Sequence, residues 1–366
     1  MIRQIFLLLM LTNSLVLCAQ KSTYNVLVGT YTSGSSEGIY SLQLDEKGNL
    51  LKSKLLIKSD NPSFLAFSKD KKYVYAVNES GDKSAVSAFK FNKTNESLIF
   101  INKIELGNAG PCHVSVTKKH VITANYGNGT ISILNRNTDG SLTAVIQTIV
   151  HKPKTTGVNQ SEQTHVHQTV FSPNGKWLIV NNLGTNCVYS YRYLPYDRNQ
   201  PLQLMEENKI KNQGGPRHAV FTKNGKFLYL LNELNATLIA FEVKPEGRLN
   251  NIQEVSLVEN PNLKNGAADI HLSVDEKYLY ATNRGEANTI SCLQVQKNGM
   301  LAKKSIISTN GNGPRNFAMS PDGNFLLIGN QKSDNITIFQ RDNSSGELQS
   351  TGKEIKLGAP VCLLFY

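Results

Sequence analysis

Apolar residues along this chain fall in short runs separated by clusters of Gly, Asn, Asp and Pro. Within many runs apolar and polar positions alternate, as from Val188 to Tyr193 and from Leu238 to Val243. A period of two is that of a strand with one face buried. No helical periodicity of useful length follows residue 20. The runs are themselves ordered in a larger pattern, which reads Gly/Asn-Pro, two variable residues, an apolar stretch, Ser-x-Asp/Asn-Gly-Lys, a second apolar or aromatic run, then Asn. Copies run from Asn61-Pro62 to Asn78 and from Gly110-Pro111 to Asn125. The third has Val166 at the Pro position and ends at Asn182. Others run from Gly215-Pro216 to Asn232, from Ala267 to Asn283, and from Gly313-Pro314 to Asn330; a seventh start is Ala359-Pro360. The Pro positions 62, 111, 166, 216, 267, 314 and 360 lie 46 to 55 residues apart. Self-similarity at that period marks a repeat architecture.

Each unit holds four strands. In the fourth copy Ala219 to Phe221 is the first, Asn224-Gly225 a tight hairpin turn, and Phe227 to Leu231 the second. An alternating third strand follows, as at Ala85 to Phe91 or Ile336 to Phe339. A Gly-x-Leu start, as at Gly140-Ser141-Leu142 and Gly299-Met300-Leu301, opens the fourth. Units of this length with four strands are propeller blades. The expected fold is all-β, a seven-bladed β-propeller. The seventh unit offers only a first strand, Val361 to Phe365, whereas Tyr24 to Gly29 matches a second strand. The C-terminal strand is therefore expected to pair with the N-terminal strands and close the ring.

Ahead of the repeats, Arg3 precedes an apolar run from Ile5 to Leu17, followed by Cys18, Ala19 and Gln20. This is the layout of a secretory signal peptide, too short to span a bilayer comfortably. The expected division is residues 1–19 as signal and 20–366 as propeller, exported to the periplasm or beyond. A lipid anchor at Cys18 is disfavoured by the bulk of Leu17. No other segment is apolar enough to span a membrane. The remaining cysteines, Cys112, Cys187, Cys292 and Cys362, form no Cys-x-x-Cys pair; they read as small buried residues, with one disulfide open to an exported chain. The net charge of +11 comes from Lys and Arg spread along the chain without basic runs. That distribution suits attraction of a small anion better than binding of nucleic acid.

In a propeller the first strand of each blade lines the central channel, so the residue after the Pro position recurs around one mouth. These are Ser63, Cys112, His167, Arg217, Ala268, Arg315 and Val361, followed by Phe64, His113, Gln168, His218, Asp269, Asn316 and Cys362. Residues after the strand-two Asn belong near the same rim: Glu79, Tyr126, Leu183, Glu233, Arg284 and Gln331. Ionisable types gather in the third to sixth copies. Charges collected at a channel mouth are costly unless paired or used, which makes this rim the candidate site.

Gly-Gly-Pro-Arg-His (214–218), Asn-Glu-Leu-Asn (232–235), Ala-Ala-Asp-Ile-His (267–271), Gly-Pro-Arg-Asn-Phe (313–317) and Asn-Gln-Lys-Ser (330–333) resemble the seven-bladed propeller lactonase family. That family holds the propeller-type 6-phosphogluconolactonases and the carboxymuconate lactonising enzymes, and the resemblance runs from about residue 24 to 366. It implies a catalytic His, two Arg and a Glu, which fall on His167, Arg217, Glu233 and Arg284. His165, in Thr-His-Val-His, competes for the His position and is kept among the substrate-binding candidates with His113, His218, Asp269, Arg315, Gln331 and Lys332.

The chemistry fits. Water attacking a lactone carbonyl builds negative charge on its oxygen, which Arg217 or Arg284 stabilises. Glu233 or His167 takes the water proton. An anionic substrate is anchored by Arg315, Lys332 or His218. His165 and His167 have the spacing of two ligands on one strand face, but with no third ligand nearby no metal is assigned. Asp269 and His271 share a face and also read as a hydrogen-bonded structural pair. No Gly-rich phosphate loop opens a helix, so no cofactor is implied. The expected activity is hydrolysis of a sugar lactone, a small and anionic or polyhydroxylated molecule. Export favours an unphosphorylated lactone, since sugar phosphates are mainly cytosolic. Lactone formation by a cycloisomerase and a non-catalytic binding propeller are the alternatives; the polar rim speaks against the last.

Overall fold

The computed structural model describes residues 23–152, 164–260 and 262–366. Residues 1–19, the segment expected to be a signal peptide, lie outside the described residues. Seven antiparallel four-stranded sheets form the ring. We number the blades by repeat copy. Blade 1 comprises Phe64–Phe67, Tyr73–Asn78, Ser84–Asn92 and Ser97–Gly107, and blade 4 Pro216–Phe221, Phe227–Asn232, Thr237–Val243 and Leu249–Ser256. Blade 7 is composite: Pro360–Phe365 pairs with Tyr24–Thr30, in register from Val26 opposite Phe365, and Gly38–Leu44 and Leu50–Lys58 follow outward. The expected closure is present. No described helix is long and apolar enough to cross a membrane.

Among the described residues the core is divided into seven apolar clusters, one at each contact between neighbouring blades. Tyr229, Leu231 and Leu238 of blade 4 meet Ile270, Leu279 and Leu293 of blade 5 in one; Val28 and Leu42 of blade 7 meet Leu327 and Ile338 of blade 6 in another. Burial on both sheet faces explains why these strands are nearly continuous apolar runs. The Gly-x-Leu signal has a packing cause. Gly299 sits at φ +84° with its face against the Phe227 ring of the preceding blade, and Gly140 stands likewise against Tyr73. A methyl group at either position collides with the ring, and the backbone is in the region that favours glycine.

The first hairpin of blades 1, 3, 4, 5 and 6 is wider than the Asn-Gly pair alone suggests. Thr222 N–H donates to the Phe227 carbonyl at 3.0 Å, so four residues lie between them. Asn224 Oδ1 accepts from Lys226 N–H at 2.9 Å, while Gly225 takes φ +69°. The turn is held by its own side chains, as Asx turns are. Cys112, Cys187, Cys292 and Cys362 are all free and buried, so the disulfide left open by the sequence is not formed.

Two features set the channel mouth. The residue after strand two of every blade donates its N–H to the carbonyl just before that same blade's Pro position. These bonds run Tyr31 to Ala359, Glu79 to Asn61, Tyr126 to Gly110, Leu183 to His165, Glu233 to Gly215, Arg284 to Gly266 and Gln331 to Gly313, all between 2.8 and 3.2 Å. Second, inner strands carry a register shift immediately after the Pro position, between Pro111 and His113, Val166 and Gln168, Pro216 and His218, and Pro314 and Asn316. The skipped residues are Cys112, His167, Arg217 and Arg315. A bulge leaves one residue unpaired and re-aims it, which is how four blades turn a rim side chain out of the pleat.

Candidate active site

The bulge at Arg217 and the loop after Asn232 bring two members of the expected set together. Arg217 Nε donates to Glu233 Oε2 at 2.8 Å, and Arg284 Nη2, from blade 5, donates to Glu233 Oε1 at 3.0 Å. Arg217 Nη1 donates to the Ala268 carbonyl and Arg284 Nε to the Gly266 carbonyl at 2.8 Å. Glu233 is thus a bridge between two guanidiniums from adjacent blades. Arg217 is 1% exposed, while Glu233 and Arg284 are about one-fifth exposed at the mouth.

Burial pushes the Glu233 carboxyl up, but the charges of Arg217, Arg284 and Arg315 outweigh it and hold it below the usual carboxylate range. Burial and then Arg284 pull Arg217 down to about 10, which leaves it charged at neutral pH. Both carboxylate oxygens are spent on arginines. Glu233 is therefore a poor proton acceptor and a good device for fixing two cations.

His167 lies beside this bridge, its ring 5.6 Å from that of Tyr126 and 5.1 Å from that of His218. Burial, then Arg217 and His218, hold it well below the ordinary imidazole range, so it is neutral. Its Nδ1 has no hydrogen-bond partner. His165 takes a different part: it lies ahead of the strand Val166–Phe171, donates from Nδ1 to the Tyr126 carbonyl at 2.8 Å, and stacks on the Tyr126 ring at 4.3 Å. Both histidine rings pack against Tyr126, His165 stacked and His167 edge-on. Among the described residues no group of three or more His, Cys, Asp or Glu is arranged to hold a metal ion.

One layer below, His113 and His218 line the channel with their rings 5.8 Å apart, and Phe64 packs on His113 at 4.2 Å. Asp269, expected among the substrate-binding residues, is engaged by protein partners. It is buried, and its oxygens accept from His218 Nδ1 at 2.9 Å, His271 Nε2 at 2.9 Å, Asn316 Nδ2 at 2.6 Å and Phe317 N–H at 3.2 Å. One donor on Oδ1 and three on Oδ2 commit the carboxylate to the channel wall. Similar bonds join other blades at this level: Gln168 Oε1 accepts from Ala219 N–H at 2.7 Å, Asn316 Oδ1 from Leu363 N–H at 2.7 Å, and Cys362 Sγ from Leu65 N–H at 3.3 Å. This layer is a belt that ties inner strands to one another. His218 belongs to it through Asp269, and burial pulls its pKa down to about 4.

Around the other side of the mouth stand Arg315, with its guanidinium 5.3 Å from the Tyr31 ring centre, and Glu79, which accepts from Tyr31 Oη at 2.7 Å and Ser63 Oγ at 2.9 Å. Gln331 is half-buried and Lys332 exposed at the rim, where the Lys332 stem lies against Gly313. Tyr31 escapes the sequence pattern because Thr30 stands where other blades carry Asn. Once Tyr24–Thr30 is placed as a strand two, the same frame delivers Tyr31 to the rim.

Fold and mouth together define a propeller enzyme with a histidine beside an arginine–carboxylate–arginine bridge. The family model described as "Lactonase, 7-bladed beta-propeller" matches residues 25–365, and the chain belongs to that family. By class it is a lactonase, a carboxylic-ester hydrolase with a small-molecule substrate. It is 33% identical over 344 residues to a 6-phosphogluconolactonase of Bacillus subtilis, covering 92% of this chain and 97% of that one. A 6-phosphogluconolactonase of Formosa agariphila is 32% identical over 350 residues, covering 93% and 98%. The solved structure of a periplasmic gluconolactonase of Pseudomonas aeruginosa superposes with a TM-score of 0.89 at 33% identity, covering 94% of this chain and 99% of that one.

Proposed function

We propose that the protein hydrolyses an unphosphorylated aldonolactone to the free aldonic acid, outside the cytoplasm. The observation that carries this reading is the Glu233 bridge: two guanidiniums held rigidly on one carboxylate, with a neutral imidazole beside them. Among the described residues Arg217 Nη2 and Arg284 Nη1 have no hydrogen-bond partner, and they are the donors for the lactone carbonyl oxygen. Export and an unphosphorylated substrate are supported by the apolar run from Ile5 to Leu17 and by likeness to a periplasmic gluconolactonase.

His167 acts as the base. It accepts a proton from water as the water oxygen attacks the lactone carbon, and the carbonyl electrons move onto the oxygen held by the two arginines. An imidazolium beside Arg217 is unfavourable, so the proton passes on to the ring oxygen as the ring C–O bond breaks. The acid product then ionises, and one proton per turnover leaves to solvent. Glu233 positions the arginines. The test is proton release from gluconolactone and from 6-phosphogluconolactone, above the spontaneous rates, with metal chelated. Unmodified protein turns over gluconolactone, and His167→Gln loses about 10²- to 10⁴-fold in kcat. Full activity in that variant removes His167 from the reaction.

The pH profile follows from the same burial. A depressed imidazole pKa means the base form persists below the ordinary value of 6.5. Glu233 is likewise ionised throughout that range. The expected kcat/KM is flat across neutrality and declines only on the acid side of 6.5. An acid limb centred at or above 6.5 contradicts the assignment.

A further inference from the structure

The half of the mouth that takes no part in the carbonyl chemistry has an unusual balance of groups. Arg315 is half-buried on blade 6, and neither a hydrogen bond nor an ion pair to its guanidinium occurs among the described residues. Its one defined contact is the Tyr31 ring. Burial works against its charge, yet Tyr31, Glu79 and Glu233 together hold it firmly protonated. Glu79, on blade 1, is half-buried and has no cation within salt-bridge distance among the described residues. Its two donors among them, Tyr31 Oη at 2.7 Å and Ser63 Oγ at 2.9 Å, both go to Oε2, which leaves Oε1 without a described partner. Burial and Glu79 push the Tyr31 hydroxyl up, so it remains a donor. An idle fork of N–H donors thus faces the same opening as an idle carboxylate oxygen.

This pairing has a chemical counterpart. A hydroxyl group donates one hydrogen bond and accepts others, and an array of neighbouring hydroxyls satisfies an acceptor-only carboxylate and a donor-only guanidinium together. A phosphoryl group offers acceptors alone. It suits Arg315 but meets Glu79 as a like charge, and charge-assisted repulsion in a half-buried site is strong. Blade 1 lies across the ring from blade 4, which holds Arg217 and Glu233. A lactone with its carbonyl at the bridge therefore extends its far hydroxyls towards Arg315 and Glu79.

Resting on the lactonase reading above, we propose that Tyr31, Ser63, Glu79 and Arg315 form the subsite for the hydroxyl groups of the aldonolactone. Glu79 is the residue that excludes a phosphorylated tail. Oε1 accepts from substrate hydroxyls, Arg315 donates to them, and Tyr31 with Ser63 fixes the carboxylate plane.

The experiment compares kcat/KM for gluconolactone and 6-phosphogluconolactone in the full chain, in Glu79→Gln and in Tyr31→Phe, each checked for an unchanged melting temperature. Glu79→Gln keeps the shape and an acceptor for Tyr31 and Ser63 while removing the charge. The unmodified protein prefers gluconolactone. Glu79→Gln raises KM for gluconolactone with kcat little changed, and shifts the ratio of the two kcat/KM values at least tenfold towards the phosphorylated lactone. Tyr31→Phe shifts it in the same direction by less. A ratio that stays within twofold in both variants, or an unmodified protein that prefers the phosphorylated lactone, overturns the subsite while leaving the lactonase reading intact. Absence of turnover on both lactones overturns the lactonase reading and the subsite with it.

Discussion

Arg217→Ala lowers kcat/KM by about 10³-fold or more. The guanidinium is the more deeply buried half of the bridge, and its Nη1 also ties the site to the Ala268 carbonyl on the next blade. Truncation removes an oxyanion donor, frees Glu233 Oε2, and leaves a space lined by polar groups. Arg217→Lys is no remedy, because a single ammonium cannot replace a fork that bonds Glu233 and Ala268 at once. Its expected loss is nearly as large. The measurement is proton release in parallel with a thermal melt, so that lost catalysis is separated from lost folding. A folded Arg217→Ala protein that retains more than about a tenth of its kcat/KM places the oxyanion donors elsewhere.

The second large effect is on stability. Asp269→Ala costs about 3–5 kcal/mol, the range for breaking a buried charged network by deleting one partner. Four donors lose their acceptor: His218, His271, Asn316 and the Phe317 N–H. These come from blades 4, 5 and 6, so the variant loosens three blades at the channel wall. Asp269→Asn preserves the shape and one acceptor oxygen, and its expected cost is smaller. Denaturation of the two variants and the parent gives the order directly. An Asp269→Ala protein as stable as its parent refutes the belt.

How much of this is legible in the residues alone depends on scale. The seven starts, the aromatic-against-glycine contacts behind Gly-x-Leu, and the composite blade are repeat properties, and repetition averages out local ambiguity. Arg217, Glu233 and Arg284 were within reach for the same reason: the frame assigns each to one rim. What the frame does not carry is direction within that rim. Successive residues such as Arg217 and His218 face opposite ways in an ideal strand, and only the bulge between Pro216 and His218 decides how each is used. Asp269 looked like a substrate ligand because its four donors come from three different blades and have no signature in the sequence. The sequence leaves Glu233 and His167 both open as the base, because it does not show that both Glu233 oxygens lie on arginines.

The composite blade also has a consequence in time. Tyr31 reaches the rim by donating to the Ala359 carbonyl, and the strand behind it pairs with Pro360–Phe365. These partners are the most distant in the chain, so their meeting bears the largest loop-closure cost and comes late in folding. Arg315 has its aromatic support, and Glu79 the second of its two hydroxyl donors, only after that seam shuts. The Arg217–Glu233–Arg284 bridge is built within blades 4 and 5, whereas the opposite side of the mouth is complete only once the last strand docks.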